Sequence, residues 1–180
     1  METISSKPKH KTWLITTSLV MALAVLIPFL VHLRPPHNGI PMGAYFLPMF
    51  YMPFIAMVWF QWRVALPVAM IAPLLNFLVT GNPQWGFLAV LTLELLFFTG
   101  FAFLLLSNSI MKWIAAPLSY LGAKAVSSFT LLFVPLMPNE PLDFFMNSVY
   151  YAVPGLLVLT LINLILLRHA APPWKSTKEE

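Results

Sequence analysis

Apolar residues run along this chain in long blocks separated by short polar breaks. The blocks cover 13–33, 44–60, 64–80, 85–106, 113–137 and 144–167. An α-helix needs about 20 apolar residues to cross a bilayer, fewer or more depending on tilt, so each block predicts one crossing. The fifth block is the least regular, because Lys124 sits near its middle. The first block is too long for the apolar region of a signal peptide, and no small-residue cleavage site follows it; it is read as a retained span. The expectation is an all-α polytopic membrane protein, a six-helix bundle over 13–168 with tails at 1–12 and 169–180.

Charge adds direction to this pattern. Lys7, Lys9, Lys11, Arg63, Lys112, Arg168, Lys175 and Lys178 fall in the tails and in alternate breaks, whereas the other breaks hold Arg34, Glu140 and Asp143. Basic residues gather on the cytoplasmic side of membrane proteins, so both termini are expected there. With 59% apolar and 9% charged residues, a soluble fold would lack the polar groups to cover its surface. The net charge of +4 thus reflects topology, and a nucleic-acid partner is not expected. The chain has no cysteine, which excludes a disulfide framework, a thiol nucleophile and cysteine metal ligands.

Prolines 28, 48, 53, 67, 73 and 154 fall inside the predicted spans. Each removes a backbone donor and predicts a kinked helix, tolerable where neighbours or a cavity satisfy the freed carbonyl. Trp13, Trp59, Trp62, Trp85, Trp113 and Trp174 lie near span ends, as an interfacial belt requires. The break at 34–43, with three prolines and two glycines, reads either as an ordered lid carrying His37, Asn38 and Gly39 or as a plain external loop. Residues 80–84 form a turn by composition.

Ionisable groups within a bilayer are expensive and demand an explanation. Glu94 lies nine residues into the fourth span, roughly 13 Å deep. It can accept a hydrogen bond from a ligand, pair with Lys124, or serve helix packing. Lys124 lies among small residues that permit close helix approach. It can snorkel toward the cytoplasmic interface, balance an anionic ligand, or pair with Glu94. Asn76, Thr80, Asn82, Asn147 and Tyr151 fall at similar depth in the outer half and are candidates for one pocket. Buried amides also join helices, the reading preferred for Asn163.

Catalytic sets are missing from the sequence. His10, His32, His37 and His169 are scattered, with no His-Glu-x-x-His spacing, no Gly-x-Ser-x-Gly elbow and no Walker A run. Neither enzyme activity nor a metal or other cofactor is expected.

Three stretches are more specific: Asn38-Gly-Ile-Pro-Met-Gly-Ala-Tyr-Phe-Leu-Pro-Met49, Ala72-Pro-Leu-Leu-Asn-Phe-Leu-Val-Thr-Gly-Asn-Pro83 and Leu93-Glu-Leu95. Over about residues 38–100 the chain resembles the substrate-binding S components of energy-coupling-factor (ECF) transporters. The resemblance implies a bacterial cytoplasmic-membrane subunit that captures a vitamin-like micronutrient from outside. It implies partners as well: a membrane-embedded T component and two ATPase subunits, where ATP hydrolysis would reside. The loop after the first helix would help close a site in the outer half of the bundle. Family members often carry an Ala-x-x-x-Ala docking motif in the first helix; here that helix offers Ser18-x-x-x-Ala22, and Ala65-x-x-x-Ala69 lies in the third. The competing expectation is a non-catalytic scaffold of a rod-shape envelope complex. An anionic ligand would use Lys124 or Arg34, a neutral or cationic one Glu94, and the sequence does not choose.

Overall fold

The computed structural model describes residues 8–81, 84–134, 136–138 and 140–169. The described residues form eight α-helices: α1 (Pro8–His32), α2 (Met42–Phe46), α3 (Pro48–Phe60), α4 (Trp62–Thr80), α5 (Trp85–Leu106), α6 (Ala115–Leu131), α7 (Pro141–Tyr151) and α8 (Val153–His169). A 3₁₀ turn, Met111–Ile114, precedes α6. Among the described residues there is no strand, and one isolated bridge joins His37 to Ile40.

Among the described residues, four stretches are long and apolar enough to cross a membrane: Thr12–His32, Met42–Phe60, Trp62–Thr80 and Trp85–Leu106. The pair α7 and α8, bent by 61°, makes a fifth if it acts as one broken span. The expected 113–137 span differs: its α-helix proper is the 17 residues of α6, with a 3₁₀ turn before it and coil after Leu131.

Proline explains two breaks. A residue before proline is disfavoured in the α region, and Leu47, before Pro48, adopts the left-handed conformation (φ 55°, ψ 40°) that separates α2 from α3. Pro154 cannot donate to the carbonyl one turn back, and the expected 144–167 helix turns at Ala152. Pro28, Pro53, Pro67 and Pro73 stay within continuous helices. Proline at 67 leaves the Arg63 carbonyl without its helical donor, and the Trp13 indole N–H donates to that oxygen at 3.3 Å. The Tyr51 hydroxyl likewise donates to the carbonyl of Phe46, which ends α2.

The centre of the bundle is α3, apolar around its whole circumference and packed on α1, α4, α5 and α8. Small residues set the close approaches. Ala65, Ala69 and Ala72 of α4 are buried in the core, as are Ala115, Ala116 and Ala123 of α6, which packs mainly on α5. Gly155 lets α8 touch the α2–α3 break: a Cβ there would lie 2.8 Å from the Tyr45 carbonyl oxygen and 2.6 Å from the Leu47 side chain. One residue, Gln61 (φ 60°, ψ −169°), turns α3 into α4. Trp13, Trp59, Trp62, Trp85 and Trp113 are all exposed near helix ends; Trp174 lies outside the described residues. Exposed leucines on α1 match a lipid-facing surface.

Several polar groups inside the bundle are satisfied internally, as a lipid setting favours, while the hydroxyls of Ser119 and Ser128 are buried without a partner. The hydroxyls of Thr92, Thr99, Thr130 and Thr160 each donate to the carbonyl four residues back. Asn163 of α8 donates to the carbonyls of Lys112 (3.0 Å) and Trp113 (2.7 Å), closing the 3₁₀ turn.

Candidate ligand-binding cavity

Opposite the end held by Trp13, Arg63 and Asn163, the bundle opens into a cavity of about 430 Å³. That size suits a small organic ligand. Its far wall comes from α5 and α6, two helices packed along their length. Glu94 of α5 and Lys124 of α6 meet there at 2.8 Å, and the Ser127 hydroxyl donates to the same carboxylate oxygen, Oε1, at 2.9 Å. Glu94 is 1% exposed and Lys124 6%. The Lys124 ammonium also lies 4.7 Å from the Phe144 ring centroid and 5.9 Å from that of Tyr120, a stabilising cation–π setting. Lys124 therefore does not snorkel. The bonded carboxylate on the neighbouring helix holds it in the core.

Asn76 enters from α4. It is 3% exposed and lines the cavity, and its Oδ1 is buried with no hydrogen-bond partner. Such an orphan costs about 1–3 kcal/mol. Apolar walls come from Met49, Phe50, Phe87, Leu91 and Tyr120. Phe50 is fixed by edge-on contacts with Phe98 and Tyr120, each at 5.1 Å between ring centroids.

The segment between α1 and α3 covers the mouth. Arg34, Pro36, Pro41, Met42, Gly43 and Ala44 line the cavity from this side. His37, Asn38 and Gly39 belong to the same segment but stand outside the lining. His37 and Ile40 exchange two backbone hydrogen bonds of 3.0 Å around Asn38 (φ 51°) and Gly39 (φ 77°). Asn-Gly is the pair best suited to two successive positive φ angles. Their role is to fold the cover, and the His37 ring reaches Tyr45 of α2 at 6.2 Å. Tyr45 in turn contacts Tyr151 at 5.7 Å, so an aromatic chain ties the cover to α7.

Of the candidate residues, Asn76, Glu94 and Lys124 are brought together. Tyr151 lies behind the cover and is not part of the lining. Thr80 donates its hydroxyl to the Asn76 carbonyl at 2.8 Å and does not line the cavity. Asn147 is exposed; its neighbour Ser148 lines the cavity instead. Adjacent helical residues point about 100° apart, so a depth estimate without a rotation could not tell them apart. Asn82 lies outside the described residues.

Tyr120, Leu91 and Ser127 had a legible signal. Tyr120 precedes Lys124 by one turn, Leu91 precedes Glu94 by three residues, and Ser127 follows Lys124 by three, all same-face spacings. His32 had none; its Nδ1–H donates to the Pro28 carbonyl at 2.7 Å, and the ring packs beneath Gly43. Among the described residues there is no cluster of side chains suited to a metal ion. Compared with models of known protein families, with curated proteins and with solved structures, the chain matches none of them.

Proposed function

We propose that this chain is the substrate-binding S component of an ECF-type transporter in a bacterial cytoplasmic membrane. In this reading it crosses the membrane six times with both termini inside, captures a small vitamin-like micronutrient from outside, and hands it to partners that hydrolyse ATP. The observation that carries the proposal is the covered cavity at one end of the bundle, where Asn76, Glu94 and Lys124 converge among apolar walls.

The distribution of charge supports the orientation. Arg63 and Lys112 flank the end away from the cavity, while Arg34, Glu140 and Asp143 lie toward the cavity end. Burial also narrows the choice of docking helix. Ala65 and Ala69 are enclosed by the bundle, whereas Ser18 and Ala22 of α1 are exposed and open to close approach by a partner helix.

The test is a gentle-detergent pull-down of the tagged chain from its native membrane. Recovery of a T component with two ATPases is the expected result, and Asn76→Ala should then abolish uptake while leaving that assembly intact. Recovery of envelope-morphogenesis proteins without an ATPase would overturn the proposal.

A further inference from the structure

The Glu94–Lys124 pair decides the charge of the ligand, provided that the cavity is a ligand site. At 2.8 Å the two ions neutralise each other, and Ser127 adds a second donor to Glu94 Oε1. A charged group inserted beside them would be buried without a counter-ion, which is strongly unfavourable. What the deep end offers is hydrogen bonding. Both bonds to Glu94 fall on Oε1, so Oε2 carries none among the described residues. Asn76 lines the same space and carries an NH₂ group that can donate; its Oδ1 has no partner and is itself buried. These groups match an uncharged head with an N–H beside a carbonyl: an amide, lactam, cyclic urea or a heterocycle with the same edge. A purely hydrocarbon head would leave Asn76 unpaired.

The mouth is different. Arg34 lines it and is exposed, and among the described residues it belongs to no ion pair. Its planar guanidinium suits a carboxylate fork. Neither Glu140 nor Asp143 lines the cavity to oppose it. One uncompensated positive charge therefore stands at the entrance, above a floor that is neutral as a unit.

We infer that the cavity takes a small amphiphilic monoanion, with an uncharged donor–acceptor head between Asn76 and Glu94 and a carboxylate directed to Arg34. Its middle is apolar, against Phe50, Phe87 and Leu91. A cation would meet Arg34 at the entrance, and a dianion would lack a second positive partner.

The experiment uses the purified full chain in detergent and two trios of probes. One trio is 6-(2-oxoimidazolidin-1-yl)hexanoate, its methyl ester and the matching primary amine; the other carries a benzamide head on the same chain and termini. Thermal shift and equilibrium binding are measured for each. In at least one trio the carboxylate should bind about three- to tenfold more tightly than its ester, and the amine more weakly than both. Arg34→Ala and Arg34→Gln should reduce the carboxylate to the level of the ester, with the unliganded Tm unchanged. Asn76→Leu should remove binding of all members. Equal binding within both trios, preference for the amine, or no binding by any probe would overturn the assignment. A pull-down without ATPases but with carboxylate-selective binding would sink the uptake reading alone. Recovery of the ATPases with amine-selective binding would sink only the ligand class.

Discussion

Glu94 and Lys124 are the residues on which the site turns, and their energetics are asymmetric. A buried pair gains little over well-packed apolar residues, because desolvation cancels most of the attraction, yet removing one partner strands the other. Both side chains here are nearly inaccessible. Lys124→Met alone should destabilise the protein by about 3–5 kcal/mol, and Glu94→Met with Lys124→Met should recover most of that loss. Thermal unfolding in detergent of the two single variants and the double variant checks this. Additive losses would mean that the pair is not coupled as the 2.8 Å contact requires. The double variant should be stable and unable to bind ligand, which separates the pair's role in the site from its role in the fold.

Among the elements, the cover is the one with the least support of its own. Helix α2 has five residues, none of them buried, and it leans on α8 and α7. Three features hold it: the left-handed Leu47, the Tyr45–Tyr151 contact, and the close passage of Gly155 beneath Tyr45 and Phe46. The last is the most exacting, because the atoms that a side chain at 155 would strike include backbone. Gly155→Ala should therefore displace α2, cost about 1–3 kcal/mol and weaken ligand binding, whereas Gly100→Ala, where a Cβ meets nothing within 4 Å, should be silent. Comparing Tm and probe affinity for the two variants reads both effects. If Gly155→Ala leaves the affinity unchanged, the cover is not seated on α8 as described.

At the scale of the whole molecule, α5 separates two chemically different ends. Gln84 precedes it beside the cavity, and Ser109 follows it near the basic Lys112; both residues are exposed. The natural absence of cysteine makes the orientation directly readable. With Gln84→Cys, an impermeant maleimide should label intact cells; with Ser109→Cys, labelling should require opening the membrane. The opposite result would put the cavity on the cytoplasmic side and remove the basis for capture from outside. Whether α7 and α8 complete one crossing through their 61° bend belongs to this scale too, since the bend brings Phe144 over Lys124 and Ser148 into the cavity wall.

Local rules determined much of this protein from its sequence. Hydropathy marks the apolar helices because burial in lipid and helical hydrogen bonding both act over consecutive residues. Asn38-Gly39 announces its turn through backbone sterics, Pro48 a break through the restriction it puts on Leu47, and Pro154 a break through its missing N–H. Yet Pro28, Pro53, Pro67 and Pro73 obey the same local rule without ending a helix. Neighbouring elements decide the difference, as the Trp13 indole does at Arg63. The sequence also left Lys124 with three readings. Tertiary structure selected one by setting α6 against α5 so that residues 30 positions apart meet. It likewise turned Ser148 inward and Asn147 outward, a choice of rotation that hydropathy does not encode. Position along a helix is a property of the chain. Which faces meet, and what empty space they enclose, depends on how all the helices pack on one another.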